Sequence, residues 1–151
     1  MIKSLIALLT SVSFLLTTAY AEAPQIKIDN AWLQAVPPVS PDTAAFMRIR
    51  NLGQTPIKLV GGTCAIATHV EPMITTTQVH DGHKVMGMEG VPALEIPAGG
   101  TLELKPGGDH MMVMGLKTHP KEGDRVVIVL RFAPENQQVN VELTVLKQAP
   151  K

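Results

Sequence analysis

An antiparallel β-sandwich or barrel is the fold this sequence predicts, on three observations. Helical periodicity is nearly absent beyond the first two dozen residues. In its place, short β-type runs follow one another closely, and clusters of Gly, Pro and Asn punctuate them. Many short strands with turn signals at close spacing are the mark of a two-layer β architecture. The single cysteine, Cys64, excludes an internal disulfide framework, so an apolar core must hold the fold.

The strands are expected, in order, at "QIKIDNAWLQ", "AAFMRIRN", "PIKLVGGT", "THVEPMITTTQV", "HKVMGM", "TLELK", "HMMVMGL", "DRVVIVLRF" and "VNVELTVL". Between the first two lies "VPPVSPDT", a proline-rich loop flanked so closely by strand-like sequence that it is no domain linker. "NLGQTP", "HDGH", "IPAGG", "KPGGD", "HPKEGD" and "APENQQ" supply the later turns. The closing "KQAPK" reads as a frayed tail. No repeat or low-complexity segment interrupts this order.

Upstream of the strands, Lys3 gives a short positive start and Leu5 to Leu16 an apolar run too short to span a bilayer comfortably. Ala19-Tyr20-Ala21 has the small-x-small pattern of a signal cleavage site, so residues 1–21 are expected to be a signal peptide. An uncleaved anchor is the alternative. Residues 22–151 then form one exported domain, with no membrane insertion after cleavage. Without Lys3 that domain carries 12 Lys and Arg against 13 Asp and Glu, a balance that gives no electrostatic footprint for nucleic acid or anionic lipid.

Catalytic signatures are missing. There is no Gly-x-Ser-x-Gly elbow, no His-Glu-x-x-His and no phosphate-binding glycine loop, and turn preference accounts for Asp81 and Asp109. An enzyme is not expected.

The chemistry lies in methionine and histidine. Of the seven methionines after the signal, six fall between Met73 and Met114, and His69, His80, His83 and His110 lie in or just before that window. The C-terminal strands fill their core with Val, Ile and Leu instead. Side chains alternate along a strand, so His110, Met112 and Met114 share one face and Met86 and Met88 another. Two such strands brought together would aim several thioethers and an imidazole at one point. Thioether sulfur is soft and neutral, and imidazole is borderline, a donor set that suits Cu(I) far better than Zn²⁺, Mg²⁺ or Ca²⁺. Core packing is the competing account for any one methionine.

A second copper arrangement can be weighed against this. Cys64, His69 and Met73 have spacing that resembles the ligand loop of azurin-type blue-copper proteins. That site needs a further histidine upstream, and none precedes Cys64. Cys64 also sits mid-chain, not between the last two strands, and reads better as a small buried hydrophobe.

With these residues in view, the chain resembles the PCuAC periplasmic copper chaperones over nearly its whole mature length. "NAWLQAVPPVSPDTAAFMRIRNLGQTPIKLVGG", "IPAGGTLELKPGGDHMMVMGLK" and "EGDRVVIVLRF" carry the resemblance. It implies a cupredoxin-like Greek-key β-sandwich that binds Cu(I) in the periplasm and passes it to a cuproprotein. The implied recipient is the copper centre of cytochrome c oxidase or another copper chaperone. The family motif is a histidine, ten residues, a methionine, twenty-one residues and then His-x-Met. It maps Met88, His110 and Met112 as metal ligands. Ten residues before Met88, however, stands Thr77, which cannot replace an imidazole. A four-residue insertion in the hairpin would put Met73 in the histidine's place, with His69, His80 and His83 as rivals. His80 and His83 are either solvated hairpin residues or a looser auxiliary site for Cu(II). Two further readings compete with chaperoning: copper buffering without a recipient, and an interaction module that has lost tight copper binding.

Overall fold

The computed structural model describes residues 25–151, and the segment expected to be a signal peptide lies outside them. Ten strands follow in order: β1 (Ile26–Gln34), β2 (Asp42–Asn51), β3 (Ile57–Cys64), β4 (His69–His80), β5 (His83–Gly90), β6 (Leu94–Ile96), β7 (Thr101–Leu104), β8 (His110–Met114), β9 (Arg125–Ala133) and β10 (Gln137–Leu146). Among the described residues there is no helix. Nine of these strands are the expected ones. β6 is the addition, a three-residue strand on β3 in a proline-flanked stretch too short to show an alternation.

The sheet runs β5-β4-β8-β2-β1-β10-β9-β3-β6, with β7 on β2 and a further β3–β4 pairing that closes it on itself. All pairings are antiparallel except β1 with β10. The result is the all-β, cupredoxin-like Greek-key sandwich. Closure happens at Gly62, which pairs with Val70 on one side and Leu130 on the other. A Cβ there would stand 2.5 Å from the Val129 carbonyl oxygen, so only glycine lets the strands meet.

Alternation fills the interior. Val126, Ile128, Leu130 and Phe132 of β9 face Val141, Leu143 and Val145 of β10, with Ala45, Met47 and Ile49 of β2 and Met111 and Val113 of β8 across from them. Met111 is fully buried in this core, as its place in the alternation demands.

One irregularity in β1 matters for function. Asn30 adopts φ 53°, and the β1–β2 register slips between Asp29 and Trp32. This β-bulge inverts the alternation: Ile26 and Ile28 pack toward the core before it, Leu33 after it. Trp32 is thereby sent to the outer face, where it pairs with Phe46 of β2. Their rings lie 4.7 Å apart between centroids, and Phe46 lies 6.2 Å from the His110 ring. Trp32, Phe46 and His110 thus make a second buried layer outside the core. At the other end of the chain, Ala149 to Lys151 are exposed and border a shallow hollow that Trp32 and Pro106 also line.

Candidate metal centre

β4 lies between β8 and β5, and its odd-numbered residues face the same side as the methionines of both neighbours. Met73 is opposite His110 on β8 and opposite Gly90 on β5; Glu71 is opposite Met112; Thr75 is opposite Met88; Thr77 is opposite Met86. Residues directly opposed in an antiparallel pair share a face. One outer face therefore collects His110 and the five thioethers of Met73, Met86, Met88, Met112 and Met114.

Within that face a hollow of about 310 Å³ is lined by Met86, Met88, Thr75 and His110, with Phe46 and Ala44 as its floor and Pro106 to Gly108 as its rim. His110 is 5 % exposed, whereas Met86 and Met88 are 62 % and 64 % exposed. The imidazole is thus recessed, and the two methionine side chains stand open to solvent.

The ring is held in one orientation. His110 Nδ1 lies 3.0 Å from the Gly108 carbonyl oxygen, which can only accept, so Nδ1 carries the proton. Nε2 makes no hydrogen bond among the described residues. An N–H donated to a backbone carbonyl is the usual way in which a ligating histidine is oriented. Thr75 Oγ1 donates to the same carbonyl at 2.7 Å, and the Thr75 amide donates weakly to Asp109 Oδ1 at 3.4 Å. Asp109 is therefore more than a turn residue.

The loop that presents Gly108 is a tight turn. Gly108 N donates to the Lys105 carbonyl at 3.0 Å, with Pro106 and Gly107 at the central positions and Gly107 at φ 76°. Proline first and a left-handed glycine second are what a type II turn requires.

The expected ligands fall into two groups. Met88 and His110 line the hollow together. Met112 and Met73 share its face but lie beyond its lining: Met112 one pleat further along β8, and Met73 between the strands of His110 and Met88. The Met73 sulfur leans toward β5, 3.5 Å from where a Cβ at Gly90 would stand, so the absence of a side chain at Gly90 makes its berth. The rival histidines do not line the hollow. His69 is exposed and opposite Met114, while His80 and His83 are exposed at the tip of the β4–β5 hairpin, on its other face. Sequence reasoning noted Met86 but did not assign it. The motif spacing selects Met88 alone, yet the shared parity of the two residues was a sufficient signal.

Cys64 takes no part. Its thiol donates to the Val127 carbonyl at 3.6 Å, against the β9 side of the barrel. Among the described residues no three His, Cys, Asp or Glu side chains converge as a metal site. The soft donors on this face are its thioether sulfurs, and Glu71, opposite Met112, adds a carboxylate to it.

The helix-free, closed β-sandwich has the architecture of PCuAC domains. The copper-bound PCuAC domain from PmoF2 shares this fold at a TM-score of 0.67 and 22% identity, over 85% of this chain and 97% of that domain. The chain belongs to the LpqE-like family, whose pattern matches residues 26–145. The Cu(I)-loaded solution structure of DR1885 from Deinococcus radiodurans is 42% identical, with a TM-score of 0.65, over 84% of this chain and 82% of that one. "Putative lipoprotein Lxx21020" of Leifsonia xyli subsp. xyli is 36% identical over 112 residues, which are 74% of this chain and 64% of that relative's length. The chain thus spans less than two thirds of that relative.

Proposed function

We propose that the protein is an exported copper chaperone that binds Cu(I) on the outer face of β8, β4 and β5. The observation that carries this reading is the His110 ring, buried, fixed through Nδ1 and left with an unengaged Nε2 on a face that carries five thioethers. His110 and Met88 are the primary ligands. Met73, opposite His110 on the intervening strand, takes the position that the family motif gives to a second histidine, and Met112 adds a further sulfur. The 42% identity to a protein whose structure was determined with Cu(I) supports the assignment of the ion.

Transfer follows from the openness of the site. Neutral thioethers hold Cu(I) without the grip of a thiolate, and the exposed sulfurs of Met86 and Met88 can be replaced one at a time by a partner's ligands. The recipient is a cuproprotein, such as the copper centre of cytochrome c oxidase, or another copper chaperone. This is ligand exchange and not catalysis.

Competition titration with a Cu(I) chelator tests the reading. His110→Ala and Met88→Ala are each expected to weaken Cu(I) binding about tenfold or more, equivalent to about 1.4 kcal/mol or greater. Met112→Ala and Met73→Ala are also expected to weaken it. Wild-type affinity in all four variants would refute the site.

A further inference from the structure

The pair His80–His83 is not part of the hollow, and its geometry has a use of its own. Asp81 and Gly82 adopt φ 49° and 77°, the two left-handed residues of a type I′ hairpin turn. Such a two-residue loop fixes register, so His80 and His83 stand directly opposite one another. Opposed residues in an antiparallel pair have their Cβ atoms about 4.5–5.5 Å apart on one face. That is a separation from which two imidazoles can close on a single ion at the usual metal–nitrogen distance of about 2.0–2.1 Å.

The surroundings suit a cation. The next pair on that face is Gln78–Val85, which is uncharged, while Lys84 pairs with Val79 on the opposite face. Both histidines are exposed, so solvent can complete the coordination sphere.

We propose that the hairpin tip is a second metal site, a two-imidazole chelate for a divalent ion of the Cu²⁺ class. Imidazole without sulfur favours Cu²⁺ over Cu(I), and Cu²⁺ stands above Ni²⁺ and Zn²⁺ in affinity for such donors. The site faces away from Met86 and Met88, so the two faces of one hairpin would bind the two oxidation states separately. It stands whether or not the thioether face binds Cu(I), because it shares no ligand with it.

The test is titration of the mature protein with Cu²⁺ alone, followed by electron paramagnetic resonance. One tightly bound equivalent with nitrogen hyperfine structure is expected. His80→Gln and His83→Gln should each lower its affinity about tenfold or more, while His110→Gln and Met88→Ala leave it unchanged. Ni²⁺ and Zn²⁺ should bind more weakly than Cu²⁺. The proposal is overturned if the His80→Gln/His83→Gln double variant binds Cu²⁺ like the wild type. It is also overturned if only one of the two single variants has an effect, or if His110→Gln abolishes the signal. Both positions are solvent-exposed at a loop tip, and an unchanged melting temperature confirms that each variant folds. Cu(I) affinity measured by chelator competition on the same variants is expected to stay at the wild-type value. That readout separates failure of this site from failure of the thioether site.

Discussion

Thr75 and His110, on neighbouring strands, donate to one acceptor, the Gly108 carbonyl, at 2.7 and 3.0 Å. The threonine holds the turn in place, and the turn holds the imidazole. Thr75→Val keeps the shape and removes the hydroxyl. The loss of one hydrogen bond is expected to cost about 0.5–1.5 kcal/mol of stability. Cu(I) affinity should fall several-fold although Thr75 is not a ligand. Thermal denaturation and chelator competition on the one variant check both outcomes.

Met111 and Met112 are adjacent in sequence and opposite in role. Met111→Ala opens a cavity in the core and is expected to destabilise the protein by about 2–5 kcal/mol. Met112→Ala, on the outer face, should change stability little and lower Cu(I) affinity. Chemical denaturation beside copper titration distinguishes them, and a large stability loss for Met112→Ala would contradict the facing described above.

Gly62 is where the barrel closes. Gly62→Ala drives a Cβ to 2.5 Å from a backbone oxygen that cannot swing away, so strands must shift. A loss of about 1–3 kcal/mol is expected by denaturant unfolding, in the range of overpacked sites.

The outer aromatic layer offers a reporter. Trp32 is the single tryptophan, and it stacks on Phe46, which in turn faces His110. Copper loading at His110 is expected to alter Trp32 emission, and Phe46→Leu should reduce that response while the protein stays folded. Emission that ignores copper in the wild type would place the ion elsewhere.

Much of this was legible in the sequence because strands alternate. The parity of His110, Met112 and Met114, and of Met86 and Met88, predicts their shared faces, and Met111 is assigned to the core by the same rule. Turn chemistry located the hairpin at Asp81-Gly82 and the turn at Pro106-Gly107. What was not legible depends on partners far apart in the chain. The bond from Thr75 to Gly108 needs β4 laid beside the β7–β8 loop, which no local pattern announces. The bulge at Asn30, which turns Trp32 outward, hides inside a run that reads as one strand. β6 is too short for any periodicity.

X-ray absorption on the Cu(I)-loaded protein tests the central claim most directly, because it counts sulfur against nitrogen around the metal. A first shell in which sulfur outnumbers nitrogen is predicted, with the nitrogen contribution lost in His110→Ala and the sulfur contribution reduced in Met88→Ala. A shell of nitrogen and oxygen alone, or one that neither substitution changes, would contradict it.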